Sequence, residues 1–177
     1  CLVHASGASG LSALPAGMVE PNGGFFTSVA TASSRTRANR GDTIIALPGH
    51  TENIAAADGW PTAAGVKIIG LGWGTMRPTI TLTAAASDLT MNDANVVIDN
   101  FRFIHSTTNV TKAFELTAAG IQFKNCYIQA SDASNKMTTV MRLSSGADDF
   151  LMENCEIQGG ATALNDTCLV NAAVARP

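Results

Sequence analysis

The chain has 177 residues, of which only 6% are aromatic and 14% charged, and a formal net charge of −3. That length fits one domain with room for a real core, while the scarcity of Leu, Glu and Lys beside much Ala, Thr, Ser, Asn and Gly speaks against a helical bundle. The small net charge gives no footing for a nucleic-acid or polycation partner, and no run of about 18 apolar residues marks a membrane span.

Residues 1–24, "CLVHASGASGLSALPAGMVEPNGG", lack periodicity and are rich in Gly, Ala, Ser and Pro. They read either as an extended N-terminal arm that orders on this domain or a neighbouring subunit, or as a loose terminus. No charged stretch followed by an apolar run suggests a signal peptide, and the chain opens on Cys1 rather than Met. Residues 25–40, "FFTSVATASSRTRANR", place Phe26, Val29 and Ala30 on one face and Arg35, Arg37 and Arg40 late, before Gly41. This predicts a short amphipathic helix capping the open end of the solenoid read from residue 41 onward, because a terminal coil otherwise exposes apolar side chains and strand edges. The arginines read as a solvated face, with nucleic-acid contact as the alternative.

Residues 41–177 read as a solenoid. Thr43 to Leu47 is a β-branched strand, Pro48-Gly49 a corner, and His50 to Ile54 a second strand. "GVKIIGLGW", from Gly65 to Trp73, repeats the scheme. Three later phrases, "VVIDNFRF", "IQFKNCYIQ" and "FLMENCEIQ", then align on Asn100, Asn125 and Asn154, which recur after 25 and 29 residues. Val96, Ile121 and Phe150 share a column, as do Ile98, Phe123 and Met152 before the asparagine, and Phe103, Ile128 and Ile157 after it. Period-2 alternation on both sides of one polar residue is a strand, a corner and a strand, at the period of a solenoid coil. Gly70 stands in the asparagine column. Gly and Asn both tolerate the left-handed conformation, so Gly70, Asn100, Asn125 and Asn154 are expected as a stacked left-handed corner ladder.

A further strand column is expected from "TITLTAA" (79–85), "AFELTAA" (113–119), "VMRLSSG" (140–146) and "CLVNAA" (168–173), aligning Leu82, Leu116, Leu143 and Val170. The links 83–95 and 129–139 are then long enough to bulge from the shaft. Of the four cysteines, Cys126 and Cys155 occupy one column, roughly 5 Å apart on adjacent coils. A disulfide fits sterically, but a reduced, inward-facing stack is preferred, since free Cys packs as a small hydrophobe.

Three strands per coil with stacked asparagines resemble the right-handed parallel β-helices of the pectin-lyase-like superfamily over residues 25–175. The phrase "IIALPGHTENI" resembles that superfamily's first-coil "PG-x-Y-x-E", with Thr51 in place of the aromatic. That resemblance implies an all-β, right-handed parallel β-helix of about four to five coils, with side-chain amides bonded up the ladder. Residues 25–105 are similar, phrase by phrase, to small β-helix virion structural proteins of tailed bacteriophages. This implies a particle component and supplies no catalytic residues.

Chemistry is sparse. Outward positions before the corner hold Asp99, Lys124 and Glu153, and those after it Arg102, Tyr127 and Glu156. Alternating signs suit cross-coil pairing better than the facing carboxylates of a glycosidase. Glu115 and Arg142 are expected to pair likewise. Asp148-Asp149 and Asp88/Asp93 read as solvated turns rather than calcium sites, and His4, His50 and His105 have no metal or triad spacing, His50 being assigned to the Pro-Gly corner. Trp60 and Trp73 are expected under loops. No catalytic residue, metal or cofactor is assigned, and no enzymatic activity. The residues and the resemblance together point to a virion structural protein on the phage capsid surface, a decoration or cement protein. It would contact the major capsid protein or other virion proteins, as a homo-oligomer on the particle, with no membrane or nucleic acid involved. The alternatives are a polysaccharide-binding or -degrading β-helix, or a baseplate or fibre module.

Overall fold

Parallel strands stacked in three columns account for nearly all of the regular structure. The structure, a computed structural model, describes residues 1–3, 25–61, 63–106, 109–130, 132, 134–159 and 167–171. Strands β1 (Leu2–Val3) and β2 (Phe25–Phe26) precede a helix α1 (Val29–Ser33). The first column then holds β3 (Thr43–Ala46), β6 (Lys67–Gly70), β9 (Val97–Asp99), β12 (Gln122–Lys124) and β15 (Leu151–Glu153), with β1 and β2 added beside β3. The second holds β4 (Thr51–Ile54), β7 (Thr79–Leu82), β10 (Arg102–His105), β13 (Tyr127–Gln129) and β16 (Glu156–Gln158). The third holds β5 (Ala57–Gly59), β8 (Asp88–Met91), β11 (Val110–Leu116), β14 (Met137–Leu143) and β17 (Thr167–Asn171). The chain is an all-β parallel solenoid of about four turns with, among the described residues, one short α-helix and one 3-10 turn (Gly74–Met76).

The columns align as the period-2 pattern requires: Ile68 lies beside Ile98, Ile98 beside Phe123, Phe123 beside Met152, and Phe103 beside Ile128. Inward residues of the middle coils are fully buried, and Trp60, Phe101, Phe103, Phe114 and Phe123 form a continuous aromatic spine. Edge-to-face contacts at 4.9 Å (Phe103–Phe114) and 5.1 Å (Phe114–Phe123) add to their area burial. Truncating one of these rings to alanine removes about 3–5 kcal/mol.

One column is misassigned by the sequence pattern. Ile80 and Leu82 belong to the second column, where they lie beside Phe103 and His105. The strand beneath Phe114 and Leu116 is instead Leu89 to Met91, inside the stretch expected to bulge. Alternation in "TITL" matches either column equally; what separates them is the loop 71–78, which replaces the two-residue corner used between β9 and β10 and between β12 and β13. At the C-terminal end Leu143 pairs with Asn171, so Arg142 rather than Leu143 faces Val170. A one-residue slip exchanges the inward and outward sets.

The helix is confined to Val29–Ser33. Ser28 caps it, its hydroxyl accepting the Thr31 N–H at 3.1 Å, and the buried Glu52 accepts the Val29 N–H at 2.9 Å. Arg35, Arg37 and Arg40 lie in the turns beyond it, where Arg40 holds the Asp42 carboxylate at 2.6–2.7 Å. The arm expected over residues 1–24 lies outside the described residues except for its first three, which pair in the first sheet.

The corner ladder differs in mechanism from the expected one. Asn100, Asn125 and Asn154 take φ of 60°, 51° and 52°, in the left-handed region. Gly70 does not; it stays in strand β6, and glycine is needed because an added Cβ would lie 2.3 Å from the Asn100 carbonyl oxygen. Gly70→Asn is therefore expected to destabilise by about 1–3 kcal/mol through overpacking, whereas Asn154→Gly, at a left-handed position, costs less than about 1 kcal/mol. Urea unfolding of the two variants checks this, and equal tolerance would contradict it.

Candidate functional site

A second left-handed column lies before the first sheet, and the sequence pattern does not single it out. Asn39, Gly65, Asn95, Gly120 and Asp149 have φ between 54° and 76°. Successive amides in the column bond the next coil: Asn39 N–H to the Ala64 carbonyl, Gly65 to Ala94, Asn95 to Ala119, and Gly120 to Asp148, at 2.8–2.9 Å. Its signal is the Ala-Gly or Ala-Asn dipeptide two residues ahead of the strands at Lys67, Val97 and Gln122. Strands β9, β12 and β15 are thus bracketed by left-handed corners that admit few residue types.

The Asn100 and Asn125 amides point along the shaft, to partners other than one another. Asn100 Nδ2 donates to the Gly70 carbonyl at 2.8 Å and the Gly72 carbonyl at 3.1 Å. Asn125 Nδ2 donates to the Asp99 carboxylate at 2.8 Å. Asn100 therefore anchors the start of loop 71–78, whose other end is tied back by the Met76 carbonyl accepting the Gly49 N–H at 2.7 Å.

The outward columns pair internally. Lys124 and Glu153 meet at 3.0 Å. Arg102 lies over the Tyr127 ring at 5.5 Å and donates to Gln129, while the Tyr127 hydroxyl bonds Gln158. Glu115 gathers Lys112, the Ser144 hydroxyl at 2.7 Å and Arg142 at 3.8 Å, and Lys112 also reaches Asp88 at 3.3 Å. The Lys112 hydrogen bond chiefly, with that from Ser144, holds the Glu115 carboxyl below its ordinary value. A depressed carboxylate stabilises the fold above its unfolded value and loses that contribution as pH falls through the folded one. Among the described residues, no group of three or more His, Cys, Asp or Glu side chains is placed to hold a metal ion.

His50 does serve the Pro-Gly corner through its backbone, which donates to the Leu47 carbonyl, but its ring is buried against Glu52 at 3.2 Å. Cys126 and Cys155 are free thiols on adjacent coils, with Cys155 Sγ accepting the Cys126 N–H at 3.4 Å. The thiol–thiol hydrogen bond draws Cys155 down to about 6 and, with burial, pushes Cys126 well up.

Trp60 is buried in the core, as a residue packed beneath its surroundings, but Trp73 is not: it is 84% exposed. Loop 71–78 carries Leu71, Trp73 and Met76, three of the four exposed large hydrophobics among the described residues. Trp73 and Arg77 stand at one end of a groove of about 520 Å³ that runs past Asn100, Asn125 and Tyr127 to Asn154 and Glu156. The flanking glycines signal irregular backbone, but an indole in such a loop has no periodicity from which exposure can be read. A second groove, of about 640 Å³, on the third column is lined by Ala57, Ala85, Ala86, Lys112 and Arg142. No family model matches the chain, and neither curated proteins nor solved structures give a match.

The Glu115 cluster and the thiol pair can each be tested in solution. Glu115→Gln should remove part of the loss of stability as pH falls below about 4.5, measured as unfolding midpoints from pH 6 to pH 3 against the parent chain. An unchanged acid slope would contradict the pairing. Cys155 should alkylate with iodoacetamide faster than Cys126 at pH 7, its rate rising through pH 6, because the thiolate is the nucleophile. Peptide mapping by mass spectrometry reads both rates, and equal labelling would refute the assignment.

Proposed function

We propose that the chain is a non-enzymatic structural protein of a tailed-phage particle, a capsid decoration or cement protein. On this reading the solenoid is a right-handed β-helix of the pectin-lyase-like kind, with α1, β1 and β2 covering its first coil. The observation that carries the proposal is the mutual pairing of the outward columns: Lys124 with Glu153 and Glu115 with Lys112 and Arg142 as ion pairs, Asp99 with the Asn125 amide and Glu115 with the Ser144 hydroxyl as hydrogen bonds. These groups spend their hydrogen-bonding capacity on one another within and between coils, which is what a rigid shaft needs; a hydrolytic site would instead hold two carboxylates about 5–9 Å apart around a substrate. The phrase "GDTIIALPGHTENI" and its likeness to virion β-helix proteins supply the particle setting. Affinity for the major capsid protein or other virion proteins would come from many modest contacts repeated on a symmetric lattice.

A second reading, a polysaccharide-binding module, has one specific observation in its favour: the exposed Trp73 beside Arg77 and Tyr127, an aromatic platform with a cation. The two readings separate on purified particles. Under the first, the protein is present in stoichiometric ratio to the capsid protein, and particles lacking it lose infectivity at a lower temperature than the parent. Particles without the chain, or deletion particles with unchanged heat tolerance, would overturn it. Loss of binding to host polysaccharide with an intact heat profile would favour the second.

A further inference from the structure

The groove at the asparagine corner carries charges whose arrangement bears on how the surface is covered. At its N-terminal end stands Arg77, beside the exposed Trp73; at its C-terminal end stands Glu156. Among the described residues neither side chain has an ion-pair partner; between them the Asp99 carboxylate, also lining the groove, accepts the Asn125 amide, and Arg102 is stacked on Tyr127 and bonded to Gln129. The second-column register places Thr79, Arg102, Tyr127 and Glu156 on four successive coils. Arg77 and Glu156 are therefore about three coil spacings apart, roughly 14 Å, too far to pair within one chain.

We infer that this strip is a self-complementary interface, on which a second copy of the chain docks antiparallel about a two-fold axis near Arg102 and Tyr127. In that arrangement Arg77 of one copy meets Glu156 of the other, and the same contact recurs on the far side of the axis, as an isologous interface requires. Trp73 of each copy enters the partner's groove beside Asn154. Both loose charges are then neutralised, and the most exposed large hydrophobic side chain among the described residues is covered. A strip basic at one end and acidic at the other favours its own inverted copy. A parallel arrangement would set Arg77 on Arg77 and Glu156 on Glu156. Tryptophan, tyrosine and arginine together are the residue types that concentrate binding energy at protein interfaces. The chain's net charge of −3 gives little overall repulsion between copies.

The test is sedimentation velocity of the full chain from about 1 to 100 µM, with circular dichroism confirming the fold of each variant. The parent should sediment as a dimer of the 18.3 kDa chain at the upper concentrations. Trp73→Ala, Arg77→Glu and Glu156→Arg should each raise the dissociation constant at least about tenfold. An equimolar mixture of Arg77→Glu and Glu156→Arg should regain the dimer, because the mixed pair sets Glu against Arg at one contact and the native Arg–Glu pair at the other. A parent that stays monomeric throughout would overturn the inference, including one whose Trp73 emission responds only to added polysaccharide. So would a dimer indifferent to the three substitutions, or a mixture that remains monomeric.

Discussion

Left-handed backbone at two fixed heights of each coil is the constraint on which the rest of this structure depends. Asn39, Gly65, Asn95, Gly120 and Asp149 set where each strand of the first column begins, and Asn100, Asn125 and Asn154 set where three of them end. Ordinary L residues are disfavoured there by about 1–2 kcal/mol each. Once both corners are placed, the period-2 pattern has one register. Ile98, Phe123 and Met152 fall on top of one another, and the aromatic spine results. The corners also decide which side chains face outward, so the pairing of Lys124 with Glu153 and of Glu115 with Arg142 is a consequence of the same geometry.

The exception to this regularity is where the chain differs most from a plain shaft. At the second coil the corner after β6 is opened into loop 71–78, and the ladder position is held by Gly70 in an extended conformation. The Asn100 amide holds the carbonyls of Gly70 and Gly72. Trp73 stands out from the solenoid on a loop whose backbone is tied at both ends, beside a half-buried Arg77. An exposed indole presented by an anchored loop loses little conformational entropy on binding, which is the property of a recognition surface rather than of a lax turn.

Much of this is legible in the residues, for physical reasons that also mark the limit. Three phrases repeating around asparagine specify coils, because alternation and a left-handed joint occur together only where a strand turns sharply. The Asp99, Lys124 and Glu153 column comes from the same alignment. "TITL" is misplaced because alternation reports which face is buried and says nothing of which sheet buries it; the insertion at 71–78 shifts that strand by one column. Gly70 resembles a left-handed residue because glycine serves two needs, positive φ and close approach, and only the Asn100 carbonyl decides between them. The exposure of Trp73 is hidden because it depends on an anchored loop rather than on a pattern.

The corners, rather than the hydrophobic pattern alone, set the register of the coils. Through-hydrogen-bond NMR couplings on the labelled chain test this most directly. Coupling is predicted from the Asn95 amide to the Ala119 carbonyl and from the Thr117 amide to the Met91 carbonyl. Coupling of Thr117 to a carbonyl within 79–85, or an Asn95 amide that exchanges with solvent as freely as an open turn, would contradict it.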